Sequence, residues 1–260
     1  MRSLIVDGVR LAYCLDGPEQ SPVIVFINSL GTDWRMWNPQ VAELSKSFRL
    51  LRYDIRGHGQ SGLSSEAFNI ARLGLDLLAL LDELSLDRVR LCGLSLGGVI
   101  ALWLAIHHPE RIERGVFANT AARIGTVEGW NARINAVQTG GMGALRNEVV
   151  ARFLSAGFRE RDPETTQLIG DILEATNPAG YIAACVALRD SDLRDLIHKI
   201  RVPSLIVAGA LDEATPPAQA RELHNAIVGS ELIIFPEVAH LSNVEQPEAF
   251  NACLLRKAVD

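Results

Sequence analysis

The sequence predicts an α/β protein with a mainly parallel sheet that is covered by helices on both faces. Short, continuous apolar runs recur along the chain, and Val23–Ile27 is the clearest of them. Such runs are typical of strands buried on both faces. Segments with helical spacing separate the runs, and this alternation favours parallel strands joined by helical crossovers. A length of 260 residues fits one large domain, or one core with an insertion.

A hairpin opens the chain. Residues 4–6 and 9–13 flank Asp7 and Gly8, a dipeptide that two-residue hairpin turns favour. We expect it to add antiparallel strands at one edge of the sheet. The later predicted strands are residues 48–53, 89–92, 115–118, 204–208 and 232–235, and the last three are expected to be buried. The predicted helices between them include residues 70–84, with a leucine stripe on one face, and Leu96–His107.

The alternation of strands and helices stops after residue 120. Residues 121–196 contain no convincing buried strand and consist of short helical segments separated by glycine and proline. A structureless loop of this length is implausible in a compact domain. We therefore predict a core formed by residues 1–120 and 197–260, and a helical cap formed by residues 121–196 (the insertion) after the sixth strand.

Composition and charge exclude several classes of protein. The net charge is −6 and no long basic run occurs, which argues against nucleic acid and anionic membranes as partners. The longest apolar run, residues 99–106, is far shorter than the ~20 residues of a membrane span. The N-terminus does not resemble a secretion signal, so we expect a cytoplasmic protein. The widely spaced cysteines predict buried thiols, with neither disulfides nor a metal site: Cys14, Cys92, Cys185 and Cys253.

The strongest chemical signal is a Gly-x-Ser-x-Gly pattern centred on Ser95. Gly93 and Gly97 flank this serine at the junction between a predicted strand and a predicted helix. In that context the serine occupies a sharp turn with its hydroxyl exposed at the edge of the sheet. The helix N-terminus beside it favours developing negative charge. Ser95 is therefore the candidate nucleophile.

A serine nucleophile needs a base, and the base needs an acid to orient it. Of the six histidines, His240 follows the last predicted strand and precedes the terminal helix. Asp212 follows the strand before it, and Glu213 is the alternative acid. Loops after parallel strands meet at one edge of a sheet, so we expect Ser95, Asp212 and His240 to lie together. Their order along the chain is also one of the known orders of the catalytic triad.

The oxygen of an attacked carbonyl group needs hydrogen-bond donors. The backbone amide of Leu96 is one candidate, because it follows the nucleophile. The second is expected in the loop after Val23–Ile27, and we assign it to the backbone amide of Leu30.

These features resemble the α/β-hydrolase superfamily over nearly the whole chain. The resemblance depends on the turn at Ser95, on the acid and base, and on a loop that reads Asp54-x-Arg56-Gly57-His58-Gly59-x-Ser61. It implies a mostly parallel sheet flanked by helices, hydrolase activity, and no cofactor. Asn28 and Ser29 stand where the superfamily usually has His-Gly. This departure narrows the assignment within the superfamily and does not weaken it, because the hydrogen-bond donor expected in this loop is a backbone amide.

Four segments of the chain resemble the 3-oxoadipate enol-lactonases of bacterial aromatic catabolism. They are residues 28–32, 34–37, 118–125 and 130–134. The resemblance implies a small lactone substrate and the product 3-oxoadipate, in the β-ketoadipate pathway. The substrate carries a carboxylate that needs a cation or hydrogen-bond donors. Arg133, Trp130 and Arg123, all in the insertion, are the candidates for substrate binding.

Other functions are compatible with the same three side chains. A general carboxylesterase, a cofactor-free perhydrolase or haloperoxidase, and a carbon–carbon bond hydrolase are the nearest alternatives. A non-enzymatic receptor for a small ligand bound beneath the insertion is an alternative of a different class. Haloalkane dehalogenases and epoxide hydrolases are disfavoured, because they need an aspartate where Ser95 stands.

Overall fold

The computed structural model describes residues 1–256. Eight strands form one sheet in the order β1-β2-β4-β3-β5-β6-β7-β8. The first two strands pair antiparallel with their neighbours, and all later pairings are parallel. The strands are β1 Arg2–Val6, β2 Val9–Asp16, β3 Val23–Ile27, β4 Arg49–Tyr53, β5 Val89–Leu94, β6 Ile112–Ala118, β7 Ser204–Gly209 and β8 Glu231–Phe235. The predicted parallel sheet and its opening hairpin are thus confirmed.

Six helices belong to the segments that alternate with the strands. They are α1 Asn38–Leu44, α2 Ile70–Glu83, α3 Leu96–His107, α9 Pro217–Ala226, α10 Ser242–Glu245 and α11 Pro247–Leu255. Helix α3 is apolar on nearly all sides and is buried against β5, β6 and α2. Helix α2 keeps its leucine stripe on the buried side, where Leu73, Leu77, Leu80 and Leu81 are inaccessible to solvent.

Five helices lie between β6 and β7, where the sequence predicted the insertion. They are α4 Val127–Gly140, α5 Arg146–Phe153, α6 Ala156–Arg161, α7 Pro163–Glu174 and α8 Pro178–Arg189. The division into a core and a cap stays a prediction, and residues 257–260 of the predicted core lie outside the described residues. In the part of the chain that the structure describes, no helix has the length and apolar character needed to cross a bilayer.

One expectation about the sheet is wrong. The sequence predicted that β8 is buried, but four of its five residues are only half-buried. Within residues 1–256, the strand is the last in the sheet and pairs with β7 alone. Its apolar residues pack inward on the sheet while its outer edge has no further strand to cover it.

The four cysteines are free thiols, and Cys14 is half-buried whereas the other three are buried.

Parallel strands β3, β5, β6, β7 and β8 all end at the same edge of the sheet. The loop after each strand therefore opens onto that edge. These loops contain the residues that the sequence identified: Leu30 after β3, Ser95 after β5, Asp212 after β7 and His240 after β8.

Candidate active site

Ser95 occupies a tight turn between β5 and α3. Its backbone has φ 58° and ψ −116°, in the left-handed region that costs a residue other than glycine energy. A Cβ atom on Gly93 would collide with the backbone of Gly97, and a Cβ atom on Gly97 would collide with the carbonyl group of Ile27. The two glycines are therefore needed because the turn packs closely on itself and on β3.

This packing predicts a large effect of adding one methyl group. The Gly97→Ala substitution should destabilise the fold at or beyond the upper end of roughly 1–3 kcal/mol, because backbone atoms cannot move aside easily. Gly157→Ala is the matched control. Gly157 lies in helix α6, and a Cβ atom added there meets nothing within 4 Å. Urea denaturation of both variants measures the difference. Equal stability of the two variants would contradict this account of the turn.

The carboxylate of Asp212 is the centre of a buried hydrogen-bond network. Its Oδ2 accepts from His240 Nδ1 at 2.8 Å, from Asn119 Nδ2 at 2.9 Å and from Thr215 Oγ1 at 2.7 Å. Its Oδ1 accepts from the amides of Ala214 and Thr215. Donation by Nδ1 leaves Nε2 of a neutral His240 as the acceptor, which is the tautomer that a general base needs.

The charge state of Asp212 follows from these contacts. Burial alone would raise the pKa of this carboxyl group. The positive charge and hydrogen bond of His240, with the hydrogen bonds from Thr215 and Asn119, outweigh burial and lower the pKa to about 2. The carboxylate is therefore ionised at neutral pH, and it can stabilise an imidazolium cation on His240. Glu213, the alternative acid, is exposed to solvent.

Ser95 and His240 line the same pocket between the sheet edge and the insertion. Both side chains are buried, with exposed fractions of 7% and 1%. Among residues 1–256, no hydrogen bond joins the Ser95 hydroxyl to His240; such bonds often tighten only when substrate is bound. Phe153 of the insertion stacks on the imidazole, with the ring centroids 5.4 Å apart.

Of the two predicted oxyanion donors, Leu30 lines this pocket and Leu96 directly follows Ser95 in the chain. Leu96 is the first residue of α3, so its amide has no partner within the helix, and Leu30 lines the pocket beside Ser29. In the described chain no backbone or side-chain acceptor takes the amide hydrogen of either residue. Both amides are therefore free to donate to a ligand.

The structure separates the three predicted substrate-binding residues. Trp130 and Arg133 line the pocket with Ser95. The indole N–H of Trp130 donates to the carbonyl oxygen of Ile124 at 2.7 Å, so this residue offers only its ring. Arg123 lies outside the pocket and forms an ion pair with Asp192 at 3.3 Å. The structure thus does not bring Arg123 to the other two.

A second arginine that the sequence analysis missed lines the pocket. Arg152 lines the pocket with Arg133, and the guanidinium groups of Arg152 and Arg133 approach the same carboxylate, Glu148, at 3.7 and 3.6 Å. These distances are too long for hydrogen bonds, and the Glu148 side chain is 63% exposed. One solvated carboxylate therefore balances two arginines, which leaves the pocket wall with a net positive charge. Helical spacing gives no signal for which insertion arginines face the pocket.

Two further residues, which were not identified from the sequence, hold the loop that contains His240. Asn119 directly follows β6 and donates to both Asp212 and the carbonyl oxygen of Ala239. Glu245 is buried, accepts from the amide of Ala239 at 2.8 Å, and binds the amide and hydroxyl of Ser155 in the insertion. Asn119 could have been identified as a polar residue at a strand end on the site edge, whereas Glu245 carries no such signal.

Comparison with known proteins agrees with the fold. Residues 22–247 match the family described as alpha/beta hydrolase fold. The chain is 39% identical to 3-oxoadipate enol-lactonase 2 of Acinetobacter baylyi, across 96% of this chain and 93% of the relative. It is 40% identical to 3-oxoadipate enol-lactonase 1 of the same organism, across 94% and 91% of the two chains.

A solved structure is also similar over almost its whole length. The enol-lactonase from Burkholderia xenovorans LB400 superimposes with a TM-score of 0.95 at 42% identity, and 98% of each chain is covered. Similarity of this extent, together with the family match, assigns the fold and the class of enzyme. The chain belongs to the α/β-hydrolase family and is a hydrolase.

Proposed function

We propose that this enzyme opens 3-oxoadipate enol-lactone to 3-oxoadipate, a step of the β-ketoadipate pathway, by acyl-enzyme chemistry at Ser95. The observation that carries the proposal is one pocket that combines Ser95 and His240 with a positively charged wall formed by Arg133 and Arg152. An ester-cleaving centre next to an anion-binding wall suits a lactone that bears a carboxylate. The relatives named enol-lactonase support the same substrate.

The first half of the reaction forms the acyl-enzyme. His240 Nε2 takes the proton of the Ser95 hydroxyl as Oγ bonds to the ring carbonyl carbon. The carbonyl oxygen becomes an oxyanion, and the amides of Leu30 and Leu96 donate hydrogen bonds to it. Each such donor contributes about 3 kcal/mol in the transition state. Asp212 stabilises the imidazolium cation that forms.

Ring opening then breaks the bond between the carbonyl carbon and the enol oxygen. The enol oxygen is a better leaving group than an alkoxide, but it stays tethered to the acyl chain and can close the ring again. Protonation by His240 and tautomerisation to the ketone remove this return path. Water deprotonated by His240 then attacks the acyl-enzyme and releases the acid, and the proton returns to Ser95 Oγ.

The arginine pair is proposed to hold the substrate carboxylate. Arg133→Gln and Arg152→Gln should each raise KM by about tenfold or more while kcat changes little, because a charge-assisted hydrogen bond contributes roughly 1.5–3 kcal/mol. Steady-state kinetics on the enol-lactone measure this split. Neutral 4-nitrophenyl acetate, which has no carboxylate, should be cleaved equally well by both variants and the wild type.

A matched control removes an arginine of the insertion that faces elsewhere. Arg161 packs over the ring of Phe158 and does not line the pocket. The Arg161→Gln variant should therefore keep the wild-type KM for the lactone. An unchanged KM in both Arg133→Gln and Arg152→Gln would remove these residues as the carboxylate anchor.

The substrate itself is tested by adding purified enzyme to the enol-lactone and following the loss of its ultraviolet absorbance. Rapid loss with release of 3-oxoadipate is the expected result. No loss, with 4-nitrophenyl acetate still cleaved, would eliminate the enol-lactone as substrate and leave a general carboxylesterase. The ester serves as the control because it reports on the nucleophile independently of the lactone.

A further inference from the structure

Ser29 has a buried hydroxyl group with no partner. The residue is fully inaccessible to solvent, and within residues 1–256 its Oγ atom has no hydrogen-bond partner. Burial of an unsatisfied polar group costs about 1–3 kcal/mol, so buried hydroxyl groups in proteins are nearly always paired. Ser29 nevertheless lines the pocket that contains Ser95 and His240. Of the buried side-chain polar atoms that lack a partner in the described residues, it alone belongs to a residue that lines this pocket.

Hydrogen bonds hold the backbone around Ser29 firmly. The amide of Ser29 donates to Met36 Sδ, and its carbonyl oxygen accepts from the amide and hydroxyl of Thr32. The preceding residue, Asn28, donates to the carbonyl oxygen of Tyr53 and accepts from the indole of Trp37. The backbone that carries the Ser29 hydroxyl group therefore needs no reorganisation when charge develops nearby.

The position of Ser29 in the chain places its hydroxyl next to a proposed oxyanion donor. Oγ of Ser29 is separated from the amide nitrogen of Leu30 only by Cβ, Cα and the carbonyl carbon. The two donor groups therefore belong to neighbouring residues of the same pocket wall. We propose that Ser29 is a further catalytic residue, whose hydroxyl donates a hydrogen bond to the oxyanion beside the amides of Leu30 and Leu96.

This proposal deepens the proposed function and rests on the same acyl-enzyme chemistry. No proton is transferred from Ser29, and no bond to it forms or breaks. Its hydrogen bond strengthens as the carbonyl oxygen passes from a neutral to an anionic state, so it lowers the barrier more than it tightens substrate binding. Loss of the hydroxyl should therefore appear in kcat and leave KM little changed.

The test is the Ser29→Ala variant, measured for kcat, KM and thermal stability. We expect kcat to fall about 10- to 100-fold, as for loss of a hydrogen bond to a charged group. The melting temperature should stay the same or rise, because the substitution removes an unpaired buried polar group. A purely structural serine would show the opposite pattern, with lower stability and normal kcat, and that result would overturn the proposal.

Ser204→Ala is the matched control. Ser204 is also buried, but it begins β7 at the opposite edge of the sheet and its hydroxyl donates to the carbonyl oxygen of Val202 at 2.7 Å. This variant should lose stability and keep the wild-type kcat. If Ser29→Ala does not fold, Ser29→Cys preserves the side-chain size and replaces the hydroxyl with a weak donor, and it should show the same fall in kcat.

Two substrates keep the two proposals distinguishable. The variants are assayed on the enol-lactone and on 4-nitrophenyl acetate, since both reactions form an oxyanion at the same place. If the wild type cleaves only the acetate ester, the lactone assignment fails while the role of Ser29 is still measured on the ester. Wild-type kcat for folded Ser29→Ala on the ester overturns the role of Ser29 whatever the natural substrate is.

Discussion

The Ser95→Ala variant is expected to lose turnover by about 10⁴-fold or more on every ester and lactone. The hydroxyl oxygen is the atom proposed to form the acyl-enzyme, and removal of a nucleophile of this kind costs about as much as removal of the whole triad. The remaining side chains and amides of the pocket stay in place. The variant should therefore still bind the lactone, and equilibrium binding measures this separately from turnover.

A burst experiment detects formation of the acyl-enzyme directly, so its result does not depend on the slower steps that follow. With 4-nitrophenyl acetate, a wild-type enzyme that accumulates an acyl-enzyme releases nitrophenol in proportion to the enzyme before steady state. Ser95→Ala should release none. Alanine adopts φ 58° no more easily than serine, so a melting temperature close to that of the wild type checks that the fold is kept. Turnover within tenfold of the wild type would refute Ser95 as the nucleophile.

The Asp212→Asn variant is expected to lower kcat by about 10⁴-fold, the size of effect seen when a triad loses the acid that fixes its histidine tautomer. An asparagine amide donates a hydrogen bond toward His240 Nδ1 and favours the tautomer with the proton on Nε2. That tautomer cannot take the proton of Ser95. Steady-state kinetics on 4-nitrophenyl acetate measure the loss.

Glu213→Gln is the matched control, because it removes the neighbouring carboxylate that is exposed to solvent. It should keep wild-type kcat, and a comparable loss in both variants would contradict the choice of Asp212.

The pKa of Asp212 lies below its ordinary value of 3.8, at about 2. Its carboxylate therefore stabilises the fold above pH 3.8, and this contribution is lost as the pH falls through 2.

The sheet and its site edge were predictable because they depend on local patterns. The apolar run Val23–Ile27 and the helix Leu96–His107 lie where the sequence placed them. Parallel topology then brings Ser95, Asp212 and His240 to one edge without knowledge of any side-chain contact. The burial of β8 was not predictable in the same way, because an apolar strand looks alike in the middle and at the margin of a sheet.

The wall that the insertion contributes to the pocket could not be predicted residue by residue. Ile124 and Gly125 line the pocket, yet their neighbour Arg123 turns away to Asp192. In a loop, no periodicity relates the direction of one side chain to the next. Arg152 was missed for a related reason, since the position of α5 over the site is fixed by tertiary packing rather than by its own sequence pattern.

The bridge that Glu245 makes to Ser155 joins the turn between α5 and α6 to the segment that contains His240, the proposed general base. Leu241 reinforces it by donating its amide to the carbonyl oxygen of Phe153 at 2.9 Å. Any redesign that shifts this turn to admit a bulkier substrate will also displace the imidazole ring of His240. Loop grafts from relatives should therefore keep this acid–alcohol pair, and enlargement of the pocket is safer along α4 and α8.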